Sequence, residues 1–204
     1  MRHLSNVEEL VGLNPDYIGF IFYPKSGRYI GTEIPDEILK IIPSSIQKVG
    51  VFVDEPFDSL VEKFYKNKLD FVQLHGEELP QYCQRLKSIN IPVIKAFSIS
   101  PEFDFEVVTP YNNVCIYILF DTAGDSRGGT GVKFNWDKLN QFKGDTPFFL
   151  SGGIKPEDVT KIKILKHPKF VAVDVNSGFE VQPGIKDISK LSIFMDGIKK
   201  GNNL

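Results

Sequence analysis

Seven short runs of apolar, β-branched and aromatic residues return at intervals of roughly 20 to 30 residues, and this rhythm limits the possible folds more than any other feature of the chain. They are Tyr17–Tyr23, Lys48–Val53, Phe71–Leu74, Pro92–Ala96, Cys115–Phe120, Pro147–Leu150 and Phe170–Val175. Most are near-continuously apolar, the mark of parallel strands buried on both faces. The intervals suit strand–loop–helix–loop units. Phe57, Leu60, Val61 and Phe64 share one helical stripe, and so do Leu79, Tyr82, Cys83 and Leu86. Residues 187–199 read as a closing helix with Ile188, Leu191, Phe194 and Ile198 inward. Lys155-Pro-Glu-Asp-Val reads as a first helical turn, where the missing proline N–H is harmless and the helix dipole favours carboxylates.

Repeated βα units in 204 residues leave two architectures, a (β/α)8 barrel or a doubly wound open sheet. An open dinucleotide-binding sheet carries G-x-G-x-x-G in its first βα turn, and this sequence has none. Its polar and glycine-rich residues instead follow the strand ends one after another, where barrel sites are assembled. The expectation is an α/β chain forming a single (β/α)8 TIM barrel domain over residues 1–204, with seven strands visible where eight are needed. Acidic residues number 26 and basic residues 24, giving a net charge of −2 without a large one-signed block, so a broad nucleic-acid or membrane-surface patch is not expected. No apolar stretch reaches the roughly 20 residues that span a bilayer. The opening MRHLSNVEEL lacks the apolar core of a signal peptide, so the expected location is the cytoplasm. Cys83 and Cys115 make no disulfide framework and read as core residues. No His, Cys and carboxylate cluster has metal spacing, so no metal site is expected.

The chemistry gathers at the strand ends. Three glycine-rich segments, Gly128-Gly129-Thr130-Gly131, Ser151-Gly152-Gly153 and Asn176-Ser177-Gly178, read as a phosphate cradle; glycine lets backbone N–H groups approach an anion, and two of these loops follow the last two strands. Asp121 ends the run Ile116–Phe120, and a partly desolvated carboxylate at a strand mouth is a candidate general acid. Asp174 lies within the last run, where it either orients substrate or pairs with a basic neighbour. Arg28 follows the first run, and its fork suits a carboxylate. His75 follows Gln73-Leu74 at another strand end.

These residues together resemble phosphoribosylanthranilate isomerase of tryptophan biosynthesis over essentially the whole chain. The matching segments are Gly19–Tyr29, Val49–Val53, Val72–Glu77, Leu119–Thr122, Gly128–Gly131, Ser151–Gly153 and Val173–Glu180. The resemblance implies a (β/α)8 barrel without cofactor or metal, a phosphosugar substrate, and an Amadori rearrangement. Asp121 would be the general acid, and Arg28 would hold the anthranilate part. His75 and Asp174 would stand at active-site positions, and Gly129, Thr130, Gly131, Gly152, Gly153, Ser177 and Gly178 would hold the phosphate. The family opens with a strand ending in Lys-x-Cys-Gly, whose cysteine is the general base, and this sequence opens beyond it. The expectation is therefore a barrel lacking its first strand, with impaired catalysis and exposed strand edges that favour self-association. A non-catalytic phosphosugar-binding barrel is the alternative.

Overall fold

The computed structural model of the chain describes residues 1–121 and 135–199. Seven strands form one sheet in sequence order: β1 (Tyr17–Ile21), β2 (Gln47–Phe52), β3 (Phe71–Leu74), β4 (Val93–Ser98), β5 (Tyr117–Asp121), β6 (Phe148–Ser151) and β7 (Phe170–Val173). Each neighbouring pair is parallel. β1 and β7 stand at the two ends of this order, and no pairing joins them among the described residues. Helix α1 (Leu4–Gly12) precedes the sheet, and α2 (Asp36–Ile41), α3 (Phe57–Lys66), α4 (Pro80–Ser88) and α5 (Val159–Ile164) lie in the crossovers. Between β4 and β5 the chain makes a 3₁₀ segment, Phe105–Tyr111, and not an α-helix. After β7, a hairpin of β8 (Glu180–Gln182) and β9 (Ile185–Lys186) leads into α6 (Ile188–Lys199).

Each run matches a strand, most with ends shifted by a residue or two, and three side chains are placed differently from the sequence expectation. β7 ends at Val173, so Asp174 is the first residue beyond the strand; its N–H still donates to Leu150 O at 2.8 Å and extends the ladder. Cys115 is buried ahead of β5. Leu79 is exposed, since as the cap of α4 it has extended backbone and leaves the helical stripe.

The two faces of the strands make two different cores, because successive side chains point to opposite sides. One set, including Phe20, Phe52, Leu74, Phe120, Phe148 and Leu150, packs with α-helical Leu60, Leu86, Leu191 and Phe194. The other set, Val49, Ile94, Ala96, Leu119 and Phe149, with Tyr17, Phe71, Tyr117 and Ala172 against it, fills the inside of the curl. Tyr17 on β1 meets Phe149 on β6 with ring centroids 5.2 Å apart, and Tyr117 meets Phe149 at 4.7 Å. Strands distant in the sheet order touch through these rings, so the sheet is strongly curled. Asn6 on α1 reinforces the curl: it donates to Lys186 O at 2.9 Å and accepts from Lys186 N at 2.7 Å, joining the first helix to the late hairpin.

Among the described residues, the ion pair between Lys95 and Glu78 is buried on both sides. Lys95 is 2% exposed and Glu78 6%, and Lys95 Nζ lies 3.1 Å from Glu78 Oε2. Lys95 Nζ also donates to Leu74 O at 3.2 Å and Gly76 O at 2.7 Å, while Glu78 accepts from Asp54 N at 2.9 Å and Gly76 N at 3.0 Å. The pair therefore anchors the loop after β3. Removing one partner strands an uncompensated buried charge, so Lys95→Met is expected to destabilise the fold by about 3–5 kcal/mol in urea denaturation. A loss below about 1 kcal/mol, the value of an exposed pair, would contradict this account.

Candidate active site

Parallel pairing puts every strand's carboxyl end at one rim, and the inward alternation decides which side chains face the curl there. Gln73 continues the inward position of Phe71, and His75 continues it once more beyond β3. Asp121 continues Tyr117 and Leu119 on β5, Ser151 continues Phe149 on β6, and Asp174 continues Ala172 beyond β7. The rim ends of β3, β5, β6 and β7 thus carry polar groups, and on β5, β6 and β7 the inward layer below is aromatic and aliphatic.

Two of the residues expected from sequence meet directly. His75 Nε2 lies 3.3 Å from Asp121 Oδ2, with both side chains partly shielded. Gln73 Nε2 lies 3.3 Å from His75 Nδ1. Donation from that amide to Nδ1 places the ring proton on Nε2, the nitrogen that faces Asp121 Oδ2. Asp174 Oδ2 accepts from Ser151 Oγ at 2.9 Å. Burial raises the Asp174 carboxyl above its ordinary range, and the nearby Asp121 charge pushes the same way; the Ser151 hydrogen bond and the Lys186 charge oppose them. Asp174 is thus drawn towards its neutral form while sharing a rim with Asp121 and His75.

The glycine loops come together through a close approach. Gly152 and Gly153 have φ of +91° and +60°, the left-handed region that favours glycine. A Cβ on Gly178 would stand 2.3 Å from Ile154 O, so the loop after β7 sits against the loop after β6 only because residue 178 has no side chain. Ser177 and Gly178 open a short 3₁₀ turn, Ser177–Phe179, beside it. Gly129, Thr130 and Gly131 lie outside the described residues.

Arg28 already holds a carboxylate, that of Glu180. Its Nε donates to Glu180 Oε1 at 3.0 Å and Oε2 at 2.9 Å, and Nη2 donates to Oε2 at 2.6 Å. Burial opposes ionisation of Glu180, but the Arg28 hydrogen bonds and the Lys186 charge outweigh it, so the carboxyl titrates below its usual range. Lys186 Nζ lies 3.5 Å from Glu180 Oε1 and donates to Asn176 Oδ1 at 2.7 Å and Asn176 O at 3.1 Å. Burial lowers its pKa, against the pull of Glu180 and Asp174. Arg28 therefore reaches the glycine loops and Asp174 through Glu180 and Lys186, and makes no hydrogen bond to His75 or Asp121.

Sequence reasoning gave no role to Glu180, Lys186 or Gln73. Glu180 closes a segment already singled out, and Gln73 precedes His75 at the spacing of one strand face, so both had a signal. Lys186 had none. Among the described residues no group of three or more His, Cys, Asp and Glu side chains could hold a metal ion, and no helix is long and apolar enough to cross a membrane.

A family model described as N-(5'phosphoribosyl)anthranilate (PRA) isomerase matches residues 1–197. The N-(5'-phosphoribosyl)anthranilate isomerase of Parabacteroides distasonis is 43% identical over 200 residues, which are 97% of this chain and 90% of the relative. That of Phocaeicola vulgatus is 38% identical, over 98% of this chain and 95% of its own length. Among solved structures, phosphoribosyl anthranilate isomerase from Thermotoga maritima superposes with a TM-score of 0.81 at 34% identity, covering 98% of this chain and 96% of that one. A phosphoribosyl anthranilate isomerase in complex with reduced 1-(o-carboxyphenylamino)-1-deoxyribulose 5-phosphate superposes with a TM-score of 0.79 at 32% identity, covering 98% and 95%. Matched in sequence and in fold over nearly its whole length, the chain belongs to the N-(5'-phosphoribosyl)anthranilate isomerase family.

Proposed function

We propose that this rim isomerises N-(5'-phosphoribosyl)anthranilate to 1-(2-carboxyphenylamino)-1-deoxyribulose 5-phosphate, with Asp121 as the general acid. The observation that carries the reading is the 3.3 Å contact between His75 Nε2 and Asp121 Oδ2, which aims an inward carboxylate into a rim of polar groups. In the first step Asp121, entering the cycle in its protonated form, gives that proton to the furanose ring oxygen. The C1'–O bond breaks as the nitrogen lone pair forms the C=N bond of a Schiff base. A base then removes the C2' proton, and the electron pair flows back to nitrogen through a new C1'=C2' bond. The resulting enolamine tautomerises to the ketone, so no atom or electron is gained or lost overall. His75 and Asp174 flank the reacting carbons, Arg28 grips the anthranilate carboxylate, and Gly152, Gly153, Ser177 and Gly178 hold the phosphate.

The proton-abstracting base of this reading is a cysteine on a further strand seated between β7 and β1. Neither cysteine of the 204 residues serves: Cys83 and Cys115 are buried among the residues packed under the helices. The 204-residue chain is therefore expected to turn over phosphoribosylanthranilate well below about 1 s⁻¹, and a chain extended by a strand ending in Lys-x-Cys-Gly to exceed that rate in a fluorescence assay. Equal rates for the two chains would remove the cysteine from the scheme.

In the extended chain, Asp121→Asn is expected to lower kcat by about 10²–10⁴-fold, the usual contribution of a general acid. Affinity for reduced 1-(o-carboxyphenylamino)-1-deoxyribulose 5-phosphate should stay within about tenfold, since binding rests on the phosphate and Arg28. A near-normal kcat would sink the assignment.

Gly178→Ala tests the cradle. Its Cβ must push the two glycine loops apart, an overpacking that costs roughly 1–3 kcal/mol. Calorimetry should show weaker binding of the reduced product analogue by about tenfold or more, which is about 1.4 kcal/mol. Unchanged affinity would place the phosphate elsewhere.

A further inference from the structure

We propose that Glu180 is a positioning residue for Arg28: it grips the guanidinium along its Nε–Nη2 edge and so presents the Nη1–Nη2 end to the carboxylate of an anthranilate-bearing ligand. The inference rests on the reading of Arg28 as the carboxylate holder and adds what makes that grip selective.

A guanidinium offers its donors in a rigid plane with two useful edges, one beside Nε and one across the end. Glu180 occupies the first. Its oxygens take Nε–H at 3.0 and 2.9 Å and one Nη2 hydrogen at 2.6 Å. Among the described residues, no acceptor besides Glu180 meets Nη2 and none meets Nη1. Their remaining hydrogens form the end-on fork that a ligand carboxylate fits in a bidentate pair.

Exposure points the same way. The Glu180 side chain is 5% exposed and that of Arg28 is 26%, so the acid is the enclosed partner and the free end of the guanidinium faces outward. Glu180 is itself held in place. It accepts from Gly184 N at 3.1 Å, stands opposite Lys186 in the β8–β9 register, and lies 3.5 Å from Lys186 Nζ. Asn6 ties the same hairpin to α1. Glu180 therefore cannot follow a rotating arginine, and it defines the plane in which the guanidinium rests.

The contrary arrangement, in which Glu180 is a stand-in that the ligand displaces, is disfavoured. Displacement would cost an enclosed carboxylate all of its Arg28 hydrogen bonds and leave it only Gly184 N and the more distant Lys186 ammonium, and breaking an enclosed pair is destabilising. Glu180 also covers the wrong edge for a competitor.

The test uses the 204-residue chain and two ligands: reduced 1-(o-carboxyphenylamino)-1-deoxyribulose 5-phosphate, and the same molecule built on aniline, without the carboxylate. Their affinity ratio, measured by calorimetry, reads the carboxylate contact alone. Glu180→Gln should weaken the acid about tenfold or more, or about 1.4 kcal/mol, and leave the aniline ligand within about twofold. Glu180→Asp, which keeps the charge on a shorter arm, should restore part of the preference. Equal weakening of both ligands would show that Glu180 supports the rim as a whole and would overturn the inference. Unchanged or tighter binding of the acid would also overturn it, the second by making Glu180 a competitor. Should Glu180→Gln fail to fold, Arg28→Lys reads the same geometry, because lysine cannot pair sideways and present a fork at once; a preference that survives it overturns the inference. Arg28→Ala separates the two levels. If it leaves the preference intact, the reading of Arg28 falls; if it abolishes a preference that Glu180→Gln retains, only the positioning role falls.

Discussion

The two-residue alternation of parallel strands is the constraint on which the rest of this structure depends. Each strand points one set of side chains at the helices and the other into the curl. The inward set runs from Phe71 through Gln73 to His75, and from Tyr117 through Leu119 to Asp121. A slip of one residue in β5 would turn Asp121 into the layer of Phe120 and Phe148, where a carboxylate would be buried without a partner. It would also turn Phe120 into the rim. The hydrophobic requirement of the outer core therefore enforces the orientation of Asp121, and the polar rim follows the strand register that the core has already set.

Electrostatics at the rim rests on groups enclosed behind it. Lys95 and Glu78 tie the backbone of the loop that follows His75, and neither faces the curl. Glu180 and Lys186 stand behind Arg28 and Asn176 in the same way. Groups with fixed neighbours need little reorganisation when charge develops on a substrate, which is where preorganised sites gain most of their effect. The close approach at Gly178 adds a geometric counterpart, because it fixes the distance between two loops that belong to different βα units.

Much of this was legible in the residues. The seven strands, the stripes of α3, α4 and α6, and the placement of Asp121, His75 and Asp174 at or beside strand ends follow from periodicity and local chemistry. Composition alone could not give Asp174 its Ser151 hydrogen bond, because the contact joins β6 to the loop after β7 across a sheet register. Leu79 fitted a helical stripe by spacing and yet lies outside it, because the cap residue leaves the helical backbone. The lysine inside the apolar run Pro92–Ala96 was a signal in plain view. A charged residue at such a position asks for a partner, and Glu78 provides it.

By itself the sequence determined the repeating βα plan, the apolar faces and the residue types available at each strand end, since these depend on neighbours within a few positions. Only the tertiary structure decided which side chains meet. Arg28 and Glu180 are 152 positions apart, and Asn6 and Lys186 are 180 apart. Nothing local in the sequence encodes such pairs; they exist because a twisted parallel sheet curls and carries the loop after its first strand to the hairpin after its last. For this reason the position of Asp121 at a strand end could be read from the chain, while the pairing of the Arg28 guanidinium could be seen only once Glu180 stood beside it.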